Sequence, residues 1–203
     1  MIIRMKSNNE ILFYPTAREH FWPMLRSEWL QWRLNKTPLW NIPMRNFLLR
    51  RLFASMDGPP FAVNLPLHVS MGNRTHIGKN FFANHNCIIY DHAEVRIEDN
   101  VMLGPGVIIT AVSHPMLAEE RCFLYNPDSF EPLKRMDTEF VAAITIGNNV
   151  WIAAGAIICP GVTIGDNTVI GAGSVVTRDI PANVFACGVP CRVVRDLSER
   201  IEL

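Results

Sequence analysis

A period of six residues runs through the C-terminal half of the chain and restricts its fold more than any other feature. Ile146, Ile152, Ile158, Ile164, Ile170 and Val176 follow one another at that spacing, and four positions after each stand Val150, Ala156, Val162, Thr168, Ser174 and Ile180. Six residues are too few for a hairpin and the wrong period for a helix. A short strand with its first and fifth residues pointing inward, followed by a corner, satisfies the pattern. Repeated, that unit predicts a parallel β-solenoid whose ladder residues stack from coil to coil. A sandwich of short strands would space its turn signals by about 8–12 residues instead.

A less regular ladder precedes it. Leu65, Met71, Ile77, Ala83 and Ile89 run at six, two residues are added, and Ile97, Leu103 and Ile109 resume the count. Gly72, Gly78, Asn84, Gly104, Gly147, Gly165 and Gly171 each follow a ladder residue, and they are expected to take the left-handed backbone of a sharp corner. Between Ile109 and Ile146 the ladder stops, and residues 115–143 read as a long polar excursion of the kind that is usually functional or disordered. Its charges Glu119, Glu120, Arg121, Lys134 and Arg135 fit a solvated face. Residues 1–64 carry helical rather than hexad spacing: Trp22, Leu25, Trp29 and Trp32, then Met44, Phe47, Leu48, Leu52 and Phe53. The expected organisation is a helical cap over 1–64, a mainly β solenoid domain over 65–196, and a tail over 197–203. An alternative use of the cap is membrane-surface contact through NFLLRRLF, with Arg45, Arg50 and Arg51 on its polar side.

Charge and cysteine content narrow the function. Nineteen Lys and Arg balance nineteen Asp and Glu, which removes the electrostatic case for nucleic acid and argues against intrinsic disorder. No run approaches the roughly 18 apolar residues of a membrane span, so no stable membrane insertion is expected. The opening MIIRMKSNNEILFY lacks the apolar segment of a signal peptide. Cys87, Cys122, Cys159, Cys187 and Cys191 are odd in number and form no C-x-x-C pair, a poor disulfide framework and a poor zinc site. The expectation is a soluble protein of the reducing cytoplasm.

The segments IGNNVWIAAGAIICPGVTIGDNTVIGAGSVVTRDIP and GVPCRVVR, with GNRTHIGKNFFANHNCII and the SHP at 113–115, resemble the hexapeptide-repeat acyltransferases. The likeness is to their galactoside and maltose O-acetyltransferase group, over roughly residues 55–196. It implies a left-handed β-helix of triangular section assembled as a homotrimer. The hand comes from the resemblance alone, since crossover physics favours the right hand. It further implies transfer of an acetyl group from acetyl-CoA to a saccharide hydroxyl, with no metal. His114 of SHP matches the family's general base, and an imidazole titrating near neutrality suits removal of a hydroxyl proton. Asn84 and Ser70 match positions near the thioester and the acceptor, Asp91 stands where an acceptor-binding carboxylate is expected beside His92, and Glu139 resembles a loop carboxylate near the base. Trp151, Ala154 and Ala172 match the pantetheine track. Thr177, Arg178, Arg192 and Arg195 match the nucleotide-phosphate end, where guanidinium groups suit phosphate. Three alternatives stay open: the same chemistry on a xenobiotic, amino sugar or polysaccharide precursor; a solenoid zinc carbonic anhydrase; and a non-catalytic scaffold. The carbonic anhydrase needs an H-x-x-x-x-H pair, whereas His85 and His92 are seven apart.

Overall fold

Three parallel sheets, one per side of a coil, build the solenoid in a computed structural model that describes residues 2–6, 10–13, 17–60, 62–117, 124–125, 132–134 and 139–197. The first sheet holds Ala62–Val63, Phe82–Ala83, Met102–Leu103, Trp151–Ile152, Val169–Ile170 and Val184–Cys187, with Arg192–Asp196 added antiparallel at its end. The second holds Leu67–Val69, Cys87–Tyr90, Ile108–Thr110, Ile157–Ile158 and Val175–Val176. The third holds Ser55–Met56, Thr75–Ile77, Val95–Ile97, Ile144–Ile146 and Thr163–Ile164. The late hexad ladder is the interior: Ile146, Ile152, Ile158, Ile164, Ile170 and Val176 are all fully buried. Stacked apolar residues replace water along the whole axis, and this burial is the main favourable term.

The early ladder is phased differently from its sequence reading. Val63 pairs in register with Ala83, and Val69 with Ile89, while Leu65 and Met71 belong to corners. Two residues are therefore inserted twice, between Val69 and Ile77 and between Ile89 and Ile97. Both insertions widen the same corner, from the second sheet to the third. The left-handed residues also lie two places later than expected at most corners. Asn80, Asn100, Asn149, Asn167 and Asn183 have φ of 55 to 61°, and their side-chain amides form a ladder, each Nδ2 donating to the next Oδ1 at 2.9 Å. Gly147 is small for another reason: a Cβ there would stand 2.3 Å from Asp166 Oδ1 of the next coil.

Two helices, α1 (Ala17–Lys36) and α2 (Ile42–Leu52), close the first coil. An open sheet end exposes unpaired backbone groups, and side chains satisfy them here. Gln31 accepts from Val69 N at 2.9 Å and donates to Val69 O at 2.8 Å, with Ser27 Oγ donating to the same carbonyl. Arg45 donates to Val63 O at 2.9 Å. Leu30, Leu34, Leu48, Leu49, Leu52 and Phe53 join the core beneath. NFLLRRLF thus packs Leu48, Leu49, Leu52 and Phe53 inward and leaves Phe47, Arg50 and Arg51 exposed, while Arg45, expected on the polar side, is buried. Trp22, Leu25, Trp29 and Trp32, expected on the capping face, are instead exposed.

The first 64 residues are not wholly helical. Strands Ile2–Lys6 and Glu10–Phe13 pair antiparallel, and the second pairs with Glu139–Val141, which pairs with Val112–Ser113. This small sheet ties the N-terminus to both ends of the excursion. Glu119, Glu120, Arg121, Arg135, Cys122 and the end of the tail lie outside the described residues. Among the described residues no helix is long and apolar enough to cross a membrane.

Candidate active site

Outward-facing residues at one register of the first sheet line a groove of about 620 Å³. Phe82, Met102, Trp151, Val169 and Phe185 succeed one another across neighbouring strands. The following corner contributes Asn84, Gly104, Ala153, Ala154, Gly171 and Ala172. Smallness is required here by packing: a Cβ on Gly104 would lie 2.6 Å from Ala154 N. Trp151, Ala154, Ala172 and Asn84 therefore come together as expected from the sequence. Asn84 Oδ1 accepts from His85 N at 2.8 Å and from Asn64 Nδ2 at 3.4 Å, which leaves its own Nδ2 as the group offered to the groove.

The cationic residues divide. Arg195 pairs opposite Phe185, and its guanidinium carbon lies 5.9 Å from that ring, at the groove's end. Arg192 is on the same strand, opposite Cys187, and donates to Cys191 O at 2.7 Å. Thr177 and Arg178 are exposed at the corner after Val175–Val176 and do not line the groove.

A second constellation occupies the widened corner between the second and third sheets. His92 stands in the inserted residues, its Nδ1 2.8 Å from Glu139 Oε2 and its Nε2 3.1 Å from Ser70 Oγ. The ring of His20, from α1, packs edge-on against His92 at 5.2 Å between centroids. Donor atoms of His20, His92 and Glu139 all lie within 4.8 Å of one another, a spacing that would also admit a divalent cation. Burial would raise the Glu139 carboxyl, but the hydrogen bond from His92 and the charges of His92, His20 and His114 outweigh it, so its pKa lies below the ordinary value. His114 is exposed just beyond Val112–Ser113.

Asp91 has a different role from the one expected of it. It is fully buried, its Oδ1 accepts from Met71 N at 2.8 Å, and its Oδ2 accepts from Thr75 Oγ1 at 3.0 Å and Arg74 N at 3.3 Å. It binds the corner of the preceding coil through both oxygens. The residues that sequence reasoning missed are His20 and the pairing of His92. A signal existed for each: His92 sits in a ladder insertion, and His20 falls on the helical face of Ser27, Leu30, Gln31 and Leu34.

A profile of the bacterial transferase hexapeptide, six repeats long, matches residues 143–178. The galactoside O-acetyltransferase of Escherichia coli (strain K12) is 42% identical over 176 residues, spanning 87% of this chain and 80% of the relative. The chain belongs to the hexapeptide-repeat acyltransferases. Among solved structures, a galactoside acetyltransferase in complex with coenzyme A superposes on this acyltransferase with a TM-score of 0.82 at 40% identity, covering 92% of this chain and 86% of the other. A hexapeptide-repeat acetyltransferase from Vibrio cholerae O1 biovar eltor, complexed with acetyl coenzyme A, gives 0.79 at 28% identity, covering 92% and 93%.

Proposed function

We propose that this acyltransferase moves the acetyl group of acetyl-CoA to a hydroxyl of a saccharide, by direct attack within a ternary complex. The groove carries the reading. It is long, apolar, floored by small residues beside Trp151 and ended by Arg195 on Phe185, a shape suited to an extended thioester arm with an anionic end. His114 takes the acceptor proton as the C–O bond forms, and the imidazolium then returns it to the departing thiolate. Glu139, held ionised below its ordinary pKa, stabilises the positive charge that develops on that corner. Asn84 Nδ2 orients the reacting groups, and the Ala154 N–H serves the tetrahedral oxyanion. Ser70, held by His92, faces the acceptor. Arg192 and Arg195, on the strand at the groove's end, are assigned to the nucleotide phosphates, and Thr177 and Arg178, outside the groove within one chain, to the same nucleotide end. A cysteine nucleophile fits poorly, because burial pushes the thiols of Cys87, Cys159 and Cys191 up from their ordinary values. The free thiols among the described residues fit a reducing, cytoplasmic compartment.

The same reading calls for a homotrimer. Within one chain Asn84 and the groove lie at the corner before the second sheet, and His114 lies at the corner after it. A three-residue strand separates the two by about 10 Å. A heterologous contact repeated around a three-fold axis brings the groove corner of one subunit to the base corner of another. Light scattering should give three times the 23.0 kDa chain mass, and thiol release from acetyl-CoA should depend on added saccharide. A fully active monomer would contradict the shared site, and thiol release with no saccharide of a broad panel would contradict the acceptor class.

A further inference from the structure

The helix α1 has two apolar faces, and only one is used by the fold. Ser27, Leu30, Gln31 and Leu34 point to the solenoid and are buried. Trp22, Leu25, Trp29 and Trp32 recur at i, i+3, i+7 and i+10, about 180° around the helix at 100° per residue. They face solvent: Trp22 is 64%, Trp29 53% and Trp32 59% exposed, and Trp40 in the turn after α1 is 80% exposed. All five tryptophans of the chain are exposed, and four of them, Trp22, Trp29, Trp32 and Trp40, lie on α1 or in the turn after it. Scattered apolar side chains need no explanation, but a continuous aromatic stripe does.

Charge identifies what the stripe fits. Residues 17–53 hold seven Lys and Arg against two Glu, within a chain that balances nineteen against nineteen. Arg26, Arg33, Lys36, Arg50 and Arg51 are exposed, and so is Glu28. Cations interleave with the rings: Arg33 lies 5.1 Å from the Trp29 ring centre, Lys36 5.5 Å from Trp32, and Arg51 5.9 Å from Phe47. Arg26, its pKa lowered by the partial burial of an otherwise exposed side chain and then by repulsion from Arg51, marks where cations of both helices converge.

We propose that this face of α1 docks the protein in the interface of an anionic lipid bilayer. Tryptophan favours the headgroup level, where its ring is desolvated and its N–H stays hydrated. Flanking Lys and Arg are drawn to an anionic surface, and the combination defines a helix that lies on a membrane rather than through it. A second copy laid face to face would oppose two cationic surfaces, whereas anionic lipid complements one. The docking surface is separate from the groove and from the corner of His92, and it does not depend on the acceptor's identity.

Sedimentation with vesicles of phosphatidylcholine alone, and with about 30% phosphatidylserine, tests the proposal on the full chain. The anionic vesicles should bind at least about tenfold more tightly, with a blue shift of tryptophan emission, and binding should weaken in high salt. Trp29→Ser with Trp32→Ser should abolish most of that binding while leaving turnover of a soluble acceptor and molecular mass unchanged. Failure to bind anionic vesicles, equal binding to neutral ones, or undiminished binding by the double variant would each overturn it. A change in molecular mass of the double variant would also overturn it, by making the stripe a subunit contact.

Discussion

Replacing Asp91 by alanine separates a structural carboxylate from an acceptor-binding one. The side chain is fully buried and receives two good hydrogen bonds, from Met71 N at 2.8 Å and Thr75 Oγ1 at 3.0 Å, with a weaker third from Arg74 N. Hydrogen bonds to a charged group contribute about 1.5–3 kcal/mol each, and removing the acceptor also leaves buried donors without partners. The expected loss is about 3–5 kcal/mol. In a chain of this size each kcal/mol moves Tm by roughly 2–4 °C, so Asp91→Ala should melt roughly 6–20 °C below the parent. Thermal unfolding by circular dichroism, at fixed protein concentration and scan rate, reads this directly. The acceptor KM of the protein that remains folded should stay close to that of the parent. An unchanged Tm with a greatly raised acceptor KM would refute the assignment and return Asp91 to the substrate.

Arg192→Ala combined with Arg195→Ala should raise the KM for acetyl-CoA far more than it lowers kcat, because remote phosphate contacts bind ground and transition states alike; steady-state kinetics showing the reverse would put these residues at the chemistry. Glu139 has a lowered folded-state pKa, so its contribution to stability is present above its unfolded value, about 4.3, and is lost as pH falls through the folded one. Denaturant titrations of Glu139→Gln and the parent should therefore differ most near neutrality and converge in acid, and a gap that widened in acid would contradict the sign.

The late solenoid was legible because each hexad is a complete local statement: an inward Ile, a small or branched partner four residues on, and a corner. The first coils were harder. Met71 and Val69 are both apolar and both buried, so the sequence offers two phases, and only pairing with Ile89 decides between them. The groove residues Trp151, Ala154 and Ala172 were found through local motifs. His20, His92 and Glu139 were not assembled beforehand because they come from a helix, a corner and a returning strand far apart in the chain. Asp91 is the opposite case: a carboxylate in the expected place has both oxygens engaged by the corner of the neighbouring coil.

Direct acetyl transfer in this acyltransferase turns on His114. The measurement that tests it most directly is the turnover of His114→Ala beside its affinity for acetyl-CoA, with initial rates taken over both substrates. A general base at His114 requires kcat lower by roughly 10²–10⁴, acetyl-CoA binding nearly unchanged, and intersecting rate plots for the parent. Normal turnover by His114→Ala, or parallel plots reporting an acetyl-enzyme, would contradict it.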